Sequence, residues 1–501
     1  MCCEYRQILA VAALLAAFVS GAAAEEPWVW HPLDAAAPKN ADAVACNVTA
    51  TAGGMHVEFH TKGVASQELV RKGRGFTRLA IPGAGVSGAV GAPELPAWRR
   101  YVVVPKNAVE VTVEVIGRKT RPFSYGKQAD LLVYPVQPPR EKTADAKPKP
   151  FAWNPSAYAR KADGRPEPVS IAPVGVLRGR RLFMVTVRPL AYDPAGKRAD
   201  VHTQIGFDVV WSCGGAPAKW RAPRYAPEAL DAPVEKLLLN PASSGAKRVD
   251  VLPEGYLIVA DPVYAALPEL AEFVAWKRQR GFETTLVTTQ EIGASVNSIH
   301  DYVQGAYQGW SVPPSFLLLV GDTESIPDAE GGGDESPPTD LAYALVDGAE
   351  YTTPDLWVGR FSVRGPAQLA AVVNKTLAYE RGESGTAPGW EKRAVFMAGE
   401  DHHTLTEGTH DDMIDSYLAP RGYSVERAYM ATYGAGTSEA FEAIDAGCSL
   451  LTYSGHGSET MWSDGPVFSQ GSVEQLAGTA HPFVLSFACI TGAYTIDESL
   501  G

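Results

Sequence analysis

The period of the hydrophobic pattern changes once along this chain, near residue 252, and no other feature restricts its folding as tightly. Before that point apolar residues alternate at period two in short runs, over 55–60, 101–104, 109–116, 182–187 and 205–211, with Gly and Pro between them. Such runs are strands, so residues 25–213 are expected to form a mostly β domain. After it, short apolar runs at 256–260, 284–288, 316–320, 356–359, 394–398, 449–454 and 483–487 alternate with helical patterns at 265–280, 298–307, 367–380, 411–418 and 439–446. That alternation predicts an α/β domain over 253–501, a parallel sheet flanked by helices with ligand chemistry at the carboxyl ends of its strands. The Ala/Pro-rich stretch 214–252 reads as the linker, and 501 residues are too many for one ordinary core.

Composition narrows the function classes. A net charge of −13 offers no basic face to displace counterions from phosphates, which argues against nucleic acid. Residues 1–24 carry Arg6, then the run ILAVAALLAAFVSGAAA, the pattern of an export signal cut after Ala24. Its apolar part, 8–19, falls short of the roughly 20 residues that span a bilayer, so no membrane span is expected once the signal is removed. Export would leave Cys46, Cys213, Cys448 and Cys489, and an oxidising compartment favours at most one bridge, Cys46 to Cys213. The Pro- and charge-rich stretch 137–168 reads as a surface loop. Gly83, Gly85 and Gly88 match a dinucleotide-binding spacing, but GAPELP follows where the phosphate-binding helix should begin, so this is a glycine-rich loop.

Two strand ends carry reactive groups. SLLTYSGHGSE ends a buried strand in His456, between Gly455 and Gly457; HPFVLSFACITG ends another in Cys489. A thiolate attacks a carbonyl, a nearby imidazole protonates the departing amine, and the Gly457 and Cys489 N–H groups are candidates for the oxyanion site. Cys448 opens the strand leading to His456 and reads as core. His402, His403 and His410 lie among Glu400, Asp401, Asp411 and Asp412, but without a zinc-binding spacing, and read as a solvated loop and helix start.

Taken together TYSGHGSE, LSFACITG, FLLLVGDTESIP, TPDLWVGRF and KTLAYERG resemble the gingipain family of the caspase-like superfamily, from about residue 256 to the end. The resemblance implies a secreted or cell-surface cysteine endopeptidase acting on peptides and proteins, without an organic cofactor. It implies a carboxylate that orients His456, at the position held by Asp355, with Glu459 as a rival because it lies close in sequence. It also implies stabilising Ca²⁺, with Asp322, Asp340 or Asp347 as candidate ligands, the alternative being an acidic solvated loop. GAPELPAWRRYVVVP resembles the opening of the family's propeptide, and Arg248 in the linker is then the expected activation cut. Gly501 follows Cys489 by twelve residues, where the family continues, so truncation at the C-terminus is expected. The alternative for the β domain is a permanent accessory or adhesive unit, and two other classes stay open for the chain: an inactive surface-binding relative whose α/β domain serves adhesion or display, and a calcium-dependent hydrolase using the acidic loop.

Overall fold

The computed structural model describes residues 28–33, 43–123, 131–138, 149–160, 166–177, 179–214, 234–240, 253–332, 336–347, 353–385, 388–401, 403–495 and 499–500. The expected signal, most of the linker, Arg248 and His402 lie outside the described residues.

The N-terminal part is β-rich, as its period-two runs require. In one sheet the long strand Arg198–Cys213 pairs with Gly54–Thr61 on one side and Ala108–Phe123 on the other, all antiparallel. In a second, Arg180–Val187 lies between Leu95–Val104 and Val169–Leu177. Alternate residues of both sheets meet in one core that includes Val57, Phe59, Val102, Val185 and Phe207. Phe59 is fully buried against Trp98, their rings 5.2 Å apart, and truncating so large a core side chain costs about 3–5 kcal/mol.

These registers overturn the expected disulfide. Cys46 lies opposite Phe59, and Phe59 opposite Ile205. Cys213 is eight residues beyond Ile205 on the same strand, roughly 26 Å at about 3.3 Å per residue, against a limit of roughly 7 Å between bridged Cα atoms. Both are free thiols.

The C-terminal part holds two four-stranded sheets, each wholly parallel, where the sequence led us to expect one. The first contains β1 (Gly255–Ala260), β2 (Glu283–Thr288), β3 (Pro314–Val320) and β4 (Trp357–Phe361) in the order β2-β1-β3-β4. The second contains β5 (Arg393–Ala398), β6 (Ser424–Tyr429), β7 (Leu450–Ser454) and β8 (Phe483–Phe487) in the order β6-β5-β7-β8.

Inner strands of a parallel sheet are covered on both faces, which is why β1, β3 and β5 read as unbroken apolar runs. Leu257, Val259, Leu317 and Leu319 pack on the helix Val296–Gly309, while Ile258, Leu318 and Val320 pack on the helices Pro268–Gln279 and Pro366–Arg381. In the second sheet Val395, Met397, Leu451 and Tyr453 face the helix Thr437–Asp445, whose buried residues are Ala440 and Ile444. Among the described residues no helix is long and apolar enough to cross a membrane.

Candidate active site

Strand β7 delivers His456 and its neighbour β8 delivers Cys489. Ser454 and Phe487 are partners in the parallel ladder, and the Gly455 N–H reaches the Phe487 carbonyl at 3.3 Å, so the chain leaves both strands side by side. Gly457 seals the junction. A Cβ on it would stand 2.8 Å from the Ala488 Cβ, 2.8 Å from the Thr491 Cγ2 and 3.0 Å from the Cys489 carbonyl oxygen. Only a hydrogen fits there. Gly457 also pairs with Trp462 in a small antiparallel ladder, and the Ser463 N–H bonds the His456 carbonyl at 2.9 Å. That bond makes Gly457 and Trp462 a non-hydrogen-bonded pair, which leaves the Gly457 N–H pointing out of the ladder.

The carboxylate beside His456 is Asp401, its Oδ2 2.9 Å from Nε2. This corrects the expectation for Asp355. Asp355 is buried, and its Oδ2 accepts the N–H groups of Val346 and Asp347, each at 2.9 Å, so it shapes its own loop. Glu459, the rival acid, is exposed.

Asp401 was missed because it sits in a run of Glu, Asp and His that reads as solvated. The usable signal is its place three residues beyond β5, at the same sheet edge as His456. The Gly399 N–H bonds the Ser454 carbonyl at 3.0 Å, and Asp464 accepts the Glu400 and Asp401 N–H groups, at 3.0 Å through its carbonyl and 3.2 Å through Oδ2. A Cβ on Gly399 would lie 2.3 Å from that Oδ2, so the loop closes on Asp464 only with glycine there.

An ionised carboxylate only accepts, so Nε2 carries the imidazole proton and Nδ1 is left with its lone pair for a thiol. The Tyr453 hydroxyl donates to the His456 carbonyl at 2.8 Å. Trp462 stacks on Tyr453 with ring centres 4.5 Å apart, and its Nε1 donates to Ser486, which in turn lies 3.0 Å from the Thr491 hydroxyl. One polar and aromatic chain therefore ties the His456 turn to the Cys489 turn. Beside it lies a cavity of about 920 Å³, lined in part by Trp462, Phe468, Val484, Ser486 and Thr491, which reaches neither His456 nor Cys489.

Cys448 lies in the core, and burial pushes its thiol up to about 11. His410 is also buried, on the helix His403–Met413, with Nε2 2.8 Å from the Ser454 hydroxyl. It was expected to be solvated; Phe396 and Tyr429 enclose it instead.

The three acids expected to bind calcium are engaged separately. Arg360 forks onto Asp340 at 2.9 and 2.6 Å, and Arg364 pairs with Asp322. Burial alone would raise the Asp322 carboxyl, but Ser362, the Thr323 amide and Arg364 outweigh it and hold it below the usual range. Asp347 Oδ2 accepts the Gly179 N–H at 3.3 Å from the N-terminal part, and the Thr353 hydroxyl donates to the Val176 carbonyl at 2.5 Å. A guanidinium and a divalent cation compete for one carboxylate, so Asp340 and Asp322, each holding an arginine, do not fit a calcium ion as they stand. Among the described residues no three His, Cys, Asp or Glu side chains gather as a metal site.

Comparison with known proteins matches residues 252–501 to Peptidase family C25 and residues 36–220 to the C25 propeptide. The chain belongs to peptidase family C25. Lys-gingipain W83 of Porphyromonas gingivalis is 28% identical over 449 residues, covering 87% of this chain and 25% of that protein. Gingipain R1 of the same organism is 26% identical over 416 residues, 81% of this chain and 40% of that one. The C25 chain thus spans a quarter to two fifths of these relatives. Among solved structures, the Arg-specific cysteine proteinase gingipain R is 25% identical with a TM-score of 0.42, over 49% of this chain and 56% of that one. A structure concerning the zymogenic latency of gingipain K is 27% identical with a TM-score of 0.32, over 38% of this chain and all of that one.

Proposed function

We propose that this chain is an exported cysteine endopeptidase made as a zymogen, with Cys489 as nucleophile, His456 as acid and base, and Asp401 as the acid that orients His456. The observation that carries the proposal is the juxtaposition of three strand ends: Asp401 after β5, His456 after β7 and Cys489 after β8, with Asp401 on Nε2 and family membership behind it.

His456 Nδ1 takes the Cys489 proton, and the thiolate attacks the peptide carbonyl. The resulting oxyanion is met by the N–H groups of Gly457 and Cys489. As the tetrahedral adduct collapses, the C–N bond breaks, His456 gives the proton to the leaving amine, and a thioester remains. Water, deprotonated by the same imidazole, attacks the thioester and releases the acid and the thiol. Asp401 keeps the ring in one tautomer and stabilises the imidazolium throughout.

The substrates are peptides and proteins. Residues 1–24 direct export to the exterior or the cell surface, 25–213 form the propeptide unit, 214–252 the linker and 253–501 the peptidase domain, with Arg248 as the activation cut. Support for a propeptide role comes from the family match over 36–220 and from the contacts of Val176 and Gly179 with Thr353 and Asp347.

The test is alkylation of the reduced peptidase, activated by cleavage in the linker, with iodoacetamide, mapping modified cysteines while cleavage of a mixed peptide library is followed. Labelling of Cys489 in step with loss of cleavage, whatever the labelling of the exposed Cys213, is expected, and Cys489→Ala should not cleave. Cleavage that survives Cys489→Ala would refute the assignment.

A further inference from the structure

Arg360 lies on β4 of the first sheet, and its side chain is only 5% exposed. Its fork holds Asp340, and Nη1 donates to the carbonyls of Gly321 at 2.9 Å and Ile326 at 2.8 Å, so the group is fixed on three sides. A buried guanidinium so fully bonded has one face left. That face meets Tyr494, with the guanidinium carbon 5.3 Å from the ring centre, within cation–π range.

Tyr494 comes from the other sheet, five residues after Cys489. Between them the backbone turns sharply: Ile490 has φ +50°, the Ala493 N–H bonds the Ile490 carbonyl at 3.2 Å, and the Tyr494 N–H bonds the Gly492 carbonyl at 2.9 Å. A β-branched residue keeps a left-handed conformation only where its surroundings hold it. The turn is held at its near end by Thr491 on Ser486 and at its far end by Tyr494 on Arg360.

We propose that Arg360 and Tyr494 are positioning residues for the nucleophile. By anchoring the far end of the turn to the neighbouring sheet, they keep Ile490 in its strained conformation and aim the thiol and N–H of Cys489 at the His456 and Gly457 side. The proposal rests on the reading of Cys489 and His456 given above. Tyr494 acts through its ring, which stands 5.3 Å from the guanidinium carbon, while its buried hydroxyl faces Asp340.

The test follows the rate of Cys489 alkylation by iodoacetamide from pH 5 to 9 on the full chain, together with the thermal unfolding midpoint. Tyr494→Phe keeps the ring and is expected to match the parent. Tyr494→Leu and Arg360→Lys are expected to slow labelling near neutral pH by about tenfold and to move its pH midpoint upward, as the thiol drifts from the imidazole. Tyr494→Leu should leave unfolding nearly unchanged, whereas Arg360→Lys, which gives up the fork and the carbonyl bonds, unfolds earlier but stays folded at the labelling temperature. His456→Ala checks the underlying reading, which fails if the pH midpoint of the parent does not depend on His456. Given that dependence, parent-like labelling in both Tyr494→Leu and Arg360→Lys overturns the proposal. So does loss of the fold in both, which would make the contact structural.

Discussion

Asp401 and His456 meet across the ends of β5 and β7, carboxylate to imidazole at 2.9 Å, while the Gly399 N–H and the Ser454 carbonyl tie those strand ends together at 3.0 Å. The hydrogen-bonded pair is thus built on a backbone bond, and its two members cannot drift apart without breaking the sheet edge. Replacing Asp401 by Asn keeps the volume but lets the ring flip tautomer. Peptide hydrolysis by Asp401→Asn is expected to fall about 10- to 100-fold in kcat with little change in KM, measured on the activated peptidase.

Asp355→Ala should behave differently. It strips the acceptor from two amides and is expected to cost about 3 kcal/mol in urea unfolding, with a much smaller effect on the hydrolysis rate per folded molecule. A kcat loss as large as that of Asp401→Asn would return the orienting role to Asp355.

Gly457→Ala places a methyl group against Ala488, Thr491 and the Cys489 carbonyl. The neighbouring strand ends must separate, so a loss of stability of about 1–3 kcal/mol is expected by denaturant titration. Activity should fall at least 100-fold, since a shift of roughly 1 Å at the reacting atoms is enough to do that.

His410 sets a pH dependence of stability. Burial lowers it from 6.5 to about 4, with Asp411 opposing. Its folded pKa lies below its unfolded one, so the unfolded chain binds more protons between those values. Its neutral burial therefore costs nothing above about pH 6.5, destabilises progressively as pH falls towards 4, and levels off below. Unfolding curves of the parent and His410→Gln should differ in slope within that window, by roughly 3 kcal/mol in total, and run parallel above it.

The free thiols of the N-terminal part give a simple check. Cys213 is exposed, whereas burial pushes the Cys46 thiol up to about 11, with Arg100 opposing. Under native conditions without reductant, a maleimide should label Cys213 rapidly and Cys46 only slowly. Mass spectrometry finding a Cys46–Cys213 bridge would contradict the strand register.

Most strands and helices were legible because each element carries its own period. β8 matches its expected bounds, and β1, β3 and β5 differ from theirs by one or two residues. β6 was not read from the sequence: SVERAY alternates apolar with charged residues over too short a span to stand out from a helix end. The helix expected at 411–418 begins earlier, at His403, and passes into a π-helical turn, Ile414–Leu418, because its polar first turns hide the periodicity. His456 and Cys489 were legible because glycine and small residues after apolar runs mark strand ends. Asp401 and Asp355 were not separable, since which acid faces an imidazole depends on how strands are ordered across a sheet. The split into two sheets was equally invisible, as strand-helix alternation is the same for one sheet or two.

Among the described residues β8 pairs with β7 alone. Phe483 and Phe487 on it are each 59% exposed. Cys489 therefore follows a strand held by one described ladder, while His456 and Asp401 follow strands paired on both sides. Breaking that one ladder would release the thiol and leave the His456–Asp401 pair in place, so among the described elements the base is built in more firmly than the nucleophile.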